Sequence, residues 1–166
     1  MPTDDREFRI GKVTFVPANE QTTRISEKWA RSLVAYTHYL LQVLDLPEWR
    51  VALHEYPCAD EKATMSCNVH RTNRTASMWF GDDFFNSRLS DFHRTQSMIH
   101  ECLHINLGDG WNFIEDMINN ELSEQTKKVV EHVFDNYMEI ATDRLAWAFS
   151  ELVEPFRSPG KGPMIE

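Results

Sequence analysis

Two histidines four residues apart, His100 and His104, enclose a glutamate in the pattern H-E-x-x-H. On a helix these positions share one face and lie about 6 Å apart along the axis, so both imidazoles can bind one zinc ion. Glu101 lies beside the first histidine but points too far round the helix to share that ion. Its carboxylate is therefore free to hold and deprotonate a water molecule that zinc activates. The motif predicts zinc-dependent hydrolysis.

A catalytic zinc ion needs a third protein ligand as well as a position for water. His93 lies seven residues before His100, too far along the same helix to complete the site. The long helical segment later in the chain offers Glu139, Glu131 and His132. We favour Glu139, because it heads a polar stripe on that helix, and keep the other two as open alternatives.

Asp143 lies one turn after Glu139 on the same predicted polar stripe. A carboxylate there is placed to accept the N–H of a zinc-bound histidine, which fixes the ring's tautomer. The residue that stabilises the oxyanion is a separate question. His132, Tyr137 and Arg144 on the same helix are the candidates for it.

The elements that must position these residues follow from the spacing of apolar side chains. A period of three to four predicts a helix over 24–46, which Pro47 ends. Alternation predicts strands over 49–56, 64–71 and 75–80, the last two joined by a turn at 72–74. The H-E-x-x-H motif lies in a predicted helix over about 90–107, which Gly108 is expected to end before a polar loop.

The last predicted helix covers about 121–153, as one long helix or two in tandem. It carries an apolar stripe made of Val130, Val133, Phe134, Tyr137, Ala141, Leu145, Ala148 and Leu152. The polar stripe with Glu139 lies on the side opposite Tyr137.

Together these elements predict an α+β fold. An N-terminal helix packs on a small, mostly antiparallel sheet, followed by the H-E-x-x-H helix and a long C-terminal helix that carries the third ligand. We expect a single domain over 22–154, preceded by an arm or edge strand over 1–21 and followed by a tail over 155–166.

The composition of the chain limits the classes of binding partner and the cellular compartment that we expect. The 166 residues carry a formal net charge of −9, which disfavours direct binding to nucleic acid or to anionic membranes. No apolar run is long enough to span a membrane, and the N-terminus lacks a signal core. Three widely spaced cysteines, Cys58, Cys67 and Cys102, argue against a disulfide framework. We therefore expect a cytoplasmic protein.

With its H-E-x-x-H motif and a downstream E-x-x-x-D at Glu139 and Asp143, the chain resembles the gluzincin metallopeptidases. Its layout is similar to the small minimal zincins of phages and bacteria, some of them called SprT-like. The resemblance implies a zincin-like fold, a Zn²⁺ cofactor and peptide hydrolysis. It also implies that His100, His104 and Glu139 are the ligands, Glu101 the general base and Asp143 the partner of a ligand.

The same resemblance implies that the segment 76–80 is an edge strand along which an extended substrate aligns. The predicted function is therefore a zinc metallopeptidase that acts on a peptide or protein. The alternative is a zinc-binding protein of the same fold with a structural or interaction role and no hydrolysis. A zinc deaminase is disfavoured, because the chain has no C-x-x-C motif.

Overall fold

A five-stranded sheet and three α-helices make up the part of the chain that the computed structural model describes, which is residues 8–17, 25–55 and 63–160. In chain order the elements are β1 (Arg9–Ile10), β2 (Val13–Val16), α1 (Glu27–Val43), β3 (Arg50–His54), β4 (Met65–His70), β5 (Thr75–Phe80), α2 (Asp91–Glu121) and α3 (Glu124–Ser150). The predicted α+β class is confirmed. Cys58 and parts of the predicted arm and tail lie outside the described residues.

The sheet is mixed, with the strand order β1-β2-β3-β5-β4. Its outer pairs, β1 with β2 and β4 with β5, are antiparallel, whereas β2 with β3 and β3 with β5 are parallel. The prediction of a mostly antiparallel sheet was therefore wrong. The helix α1 lies between β2 and β3 in the chain, and such a crossover returns the second strand in the same direction as the first.

Two tight turns depend on left-handed backbone. Gly11 has a φ of 57° and splits the apolar run near the N-terminus into the hairpin β1–β2. Arg74 has a φ of 51° and closes the predicted turn between β4 and β5. The second turn confirms the hairpin that the alternating pattern predicted.

The main core lies between one face of the sheet and the helices α1 and α2. Alternate residues of β2, β3 and β5 are buried, as the period of two requires, and so is one face of α1 that includes Trp29, Leu33 and Leu40. The first half of α2 adds Met98, Ile99, Cys102, Leu103 and Ile105. Burying each large side chain stabilises the fold by about 1.5–3 kcal/mol, so this half of α2 is held firmly.

The helix α2 does not end at Gly108 but continues to Glu121, so the predicted helix end and polar loop were wrong. Gly108 has another function, because the guanidinium of Arg71 packs directly on it. An ideal Cβ at this position would lie only 2.9 Å from the Nε atom of Arg71. Glycine therefore permits a close approach here and does not end the helix. The break between the last two helices falls at Leu122 and Ser123.

After α3 the chain returns across the core. Phe156 is 1% exposed and contacts Trp29, Tyr36 and Phe84. Its backbone N–H donates to Thr95 Oγ1 over 2.8 Å. The described beginning of the predicted tail is thus packed against the domain.

Candidate metal centre

The start of α2 is fixed by Ser90, which caps the helix, and by the buried side chain of Arg94. The Arg94 guanidinium donates hydrogen bonds of 2.7–2.8 Å to the carbonyls of Phe84, Asn86 and Leu89. It also pairs with Asp91 over 3.0 Å. Because the three carbonyls belong to the segment before α2, the helix that carries the motif enters the core in one orientation.

His100 and His104 lie at the margin of the buried face of α2, so both rings are largely but not fully buried. Their Nε2 atoms are 2.9 Å apart and point toward the same space. Burial and the neighbouring His100 lower the pKa of His104. A neutral imidazole is the form that binds a metal ion, so this environment favours coordination.

The helix α3 brings two carboxylates to the histidines. Glu139 Oε2 lies 3.3 Å from His100 Nε2, and Glu139 Oε1 lies 3.5 Å from His104 Nε2. Asp143, one turn later, places its Oδ1 atom 2.8 Å from His100 Nδ1. A carboxylate at this distance favours the tautomer with the proton on Nδ1, which leaves Nε2 facing Glu139 and His104 as a metal ligand.

The distances fit a tetrahedral metal ion. Ligand atoms at about 2.0–2.1 Å from zinc lie roughly 3.3–3.4 Å from one another. Each imidazole Nε2 has one Glu139 oxygen near this spacing, Oε2 for His100 and Oε1 for His104, whereas the 2.9 Å between the imidazoles is shorter. The three ligand atoms lie within 4.8 Å of one another, so His100, His104 and Glu139 can hold a metal ion after a small separation of the two rings.

Glu101 is buried beside this group and does not belong to it. Burial and the nearby carboxylates of Glu139 and Asp143 raise the pKa of Glu101 to about 8. In the absence of a cation, this carboxyl therefore keeps its proton at neutral pH. A divalent cation among the neighbouring ligands acts in the opposite direction and favours the carboxylate.

The candidate ligands open into a cleft of about 770 Å³ between β4, α2 and α3. Met65, Ser66, Cys67 and Val69 of β4 form one wall. The edge strand beside the site is thus β4. The segment 76–80, expected at the edge, belongs to β5, which pairs on both sides, so that expectation was wrong.

Several candidate residues lie away from the cluster. Glu131 lines a separate small cavity with Glu115 and Asp135, and His132 contacts Asn136 on the helix surface. The described lining of the cleft also lacks His132, Tyr137 and Arg144, which were the candidates for stabilising an oxyanion. His93 lines the cleft, but its Nδ1 lies 2.7 Å from Ser90 Oγ and it is not in the ligand cluster.

Arg71 is a cleft residue that the sequence reasoning missed. It follows the edge strand β4 and packs on Gly108, one turn beyond His104. Among the described residues that line the cleft, it is the one arginine or lysine. The possible signal was Gly108 itself, because a glycine within a helical pattern can mark a close approach as well as a helix end.

No described helix is both long enough and apolar enough to cross a membrane. The chain matches no protein-family model. It matches no curated protein, and it matches no solved structure. The geometry of the cluster and its cleft therefore has to support the functional argument.

Proposed function

We propose that the chain is a zinc-dependent peptidase of the zincin type, with His100, His104 and Glu139 as zinc ligands and Glu101 as general base. One observation carries the proposal: a three-residue ligand group opens into the same cleft as a buried carboxyl group that is not part of it. A purely structural zinc site is ordinarily closed by four protein ligands, whereas a catalytic site has three and an open position.

Two imidazoles and one carboxylate form a ligand set that suits a catalytic zinc ion. Zinc, when bound, supplies a Lewis acid that polarises a carbonyl group and lowers the pKa of water. Asp143, with its carboxylate 2.8 Å from His100 Nδ1, orients that imidazole and makes it a better ligand. Half of the Glu139 side chain is exposed, so solvent and substrate have access to the centre.

Glu101 transfers the protons in this proposal. As a carboxylate it accepts a proton from the attacking water, and as a carboxylic acid it gives that proton to the leaving amine. Both forms must be accessible near neutral pH. The two opposing influences on Glu101, burial with neighbouring carboxylates and a nearby cation, bring its pKa into that range.

The cleft fits an extended peptide. Among the described strands, β4 pairs only with β5, and residues of β4 line the cleft, where a peptide can add as a further strand. Arg71 lies at the end of β4 and supplies positive charge near the substrate. We propose that Arg71 binds a substrate carbonyl adjacent to the scissile bond. The Arg71→Gln substitution is therefore expected to raise KM more than it lowers kcat.

The test is the Glu101→Gln variant, compared with Glu115→Gln as the control. Both carboxylates belong to α2 and line the cleft, but Glu115 lies beyond Gly108, away from the ligands. Loss of a general base is expected to reduce turnover of a peptide library by roughly 1,000-fold or more, with one zinc per chain retained by elemental analysis. The control is expected to keep its turnover.

Two results would contradict the proposal. One is undiminished turnover by Glu101→Gln. The other is a zinc-loaded wild type that cleaves no peptide in the library, which would leave the zinc-binding protein without hydrolysis as the better description.

A further inference from the structure

The long helix α3 is amphipathic, but it is its polar face, and not its apolar face, that packs on the domain. Its polar side, with Glu139 and Asp143, faces α2 and the ligand cluster. Its apolar side faces away from the domain, although an apolar helix face is ordinarily the one that packs. No described element covers it, because α3 makes its main contacts with α2.

The apolar side forms a continuous stripe over most of the helix. Five large side chains define the α3 stripe, and all are strongly exposed: Val129 (64%), Val133 (47%), Tyr137 (70%), Ile140 (48%) and Trp147 (53%). At 100° per residue they fall within about 80° of one another. Their spacing of four, four, three and seven residues matches a helix that packs along a partner helix.

The size of this surface fits a protein interface. The five exposed fractions amount to roughly 500 Å² of side-chain surface, which is as large as the largest apolar patches on typical monomers. A standard interface buries about 800 Å² on each partner, of which roughly 60% is apolar. The α3 stripe alone supplies that apolar share.

We propose that the α3 stripe binds the α3 stripe of a second copy of the chain, so that the protein is a homodimer with a twofold axis near Tyr137 and Ile140. Antiparallel pairing about this axis brings the small Val129 and Val133 of one copy beside the large Trp147 of the other. A flat stripe of this composition is thus complementary to itself.

The charge of the protein favours a second copy of the chain over a lipid surface as the partner of the α3 stripe. A net charge of −9 repels an anionic membrane, and the polar side of α3 near the site is acidic, not rich in lysine and arginine as in membrane-surface helices. Two copies also repel each other at a distance, but within the arc of the stripe Arg144 is the one charged residue of α3. Its long stem can lie along the apolar contact while the guanidinium reaches the rim.

The dimer would also support the ligand cluster. Ile140 follows Glu139 directly, so the stripe and the carboxylates lie on neighbouring faces of the same turns of α3. Pairing of α3 with a second α3 gives the helix a second packed face. That packing holds Glu139 and Asp143 in place opposite α2.

The experiment is sedimentation velocity of the full chain between about 1 and 200 µM, a range that covers micromolar dissociation constants. The wild type is expected to be mainly dimeric at about 50 µM. Val133→Glu is the test variant, and Val43→Glu is its control, since Val43 is equally exposed at 45% but lies on α1. Val133→Glu is expected to weaken dimerisation by roughly 100-fold or more, and the control by less than about threefold.

Folding and salt provide further checks. Far-UV circular dichroism establishes that each variant is folded, and Tyr137→Arg, at a more exposed position, is expected to weaken the dimer as Val133→Glu does. Because the two copies carry like charges, an increase in salt is expected to strengthen the wild-type dimer. A wild type that stays monomeric throughout this range overturns the proposal, whether or not it binds zwitterionic vesicles. Unchanged dimerisation in folded Val133→Glu overturns it as well.

Discussion

The helices α2 and α3 each contribute two residues one turn apart to the candidate metal centre, but they are held in place in different ways. In α2 the histidines flank a face that is buried in the main core. In α3 the carboxylates lie on the side facing α2, and the opposite side carries the exposed stripe. One half of the site is therefore fixed by the core and the other by a single helix pairing.

This difference indicates how metal binding and folding are coupled. A metal ion that bridges His100, His104 and Glu139 links α3 to the part of the molecule that is already rigid. An ion that binds the folded arrangement and not the unfolded chain would stabilise that arrangement. The four predictions below test the contrast between the two helices.

The largest effect is expected for the ligand that α3 supplies. Glu139→Ala removes one of three ligands, and the metal Kd is expected to rise by roughly 1,000-fold, more than loss of a hydrogen-bond partner of a ligand would produce. Glu131→Ala, on the same helix but in a separate cavity, is the control and is expected to leave the Kd unchanged. Competition titration with a zinc chelator measures both. Equal affinity of Glu139→Ala and the wild type would exclude this residue as a ligand.

A matched pair of leucines tests the difference in packing. Leu103 in α2 is 3% exposed, and Leu145 in α3 is 39% exposed. Leu103→Ala is expected to lower the free energy of unfolding by about 2–5 kcal/mol, whereas Leu145→Ala is expected to cost less than about 1 kcal/mol. Urea unfolding of metal-free protein at low concentration measures the difference. Similar costs for both variants would show that α3 is as firmly packed as α2.

The pH dependence of stability tests the environment of Glu101 in the metal-free protein. Its folded-state pKa of about 8 lies above the ordinary value of 4.5, so the folded chain retains a proton that the unfolded chain releases. The stability associated with this group is present below pH 4.5 and is lost as the pH rises toward 8. Glu101→Gln avoids this loss, so its advantage over the wild type is expected to grow to about 2–4 kcal/mol at alkaline pH.

Thermal or urea unfolding at several pH values, with a chelator present, measures that advantage. The difference between the two proteins is expected to vanish at acid pH, where Glu101 is protonated in both the folded and the unfolded state. A difference that does not vary with pH would contradict a raised pKa for Glu101.

The smallest effect is expected at Asp143. Asp143→Asn keeps the shape of the side chain but removes the negative charge that faces His100 Nδ1, so the metal Kd is expected to rise by about 10- to 100-fold. Isothermal titration with zinc measures the change. A loss equal to that of Glu139→Ala would show that Asp143 binds the metal ion itself and does not act only through His100.

Local spacing was sufficient to predict the strands β3, β4 and β5, the helix α1 and the helix position of the H-E-x-x-H motif. These depend on contacts between residues near one another in the chain, which the apolar period records. The sequence reasoning ranked Glu139 above Glu131 as a ligand candidate, and Glu139 is the one near the histidines. The prediction that Gly108 ends a helix was wrong. Glycine is favoured both at the end of a helix and where a distant side chain packs closely on the backbone, so the residue type alone does not distinguish the two.

The sequence by itself determined which side chains can bind a metal ion together, because two imidazoles one turn apart share a helix face whatever surrounds them. Only the tertiary structure decided the strand directions, the cleft beside β4 and the side of α3 that faces the domain. Those features depend on contacts between distant segments. An apolar stripe indicates that a helix face is suited to packing, but it does not indicate whether the packing partner belongs to the same chain. In α3 the described fold leaves that face exposed and turns the acidic one toward the histidines.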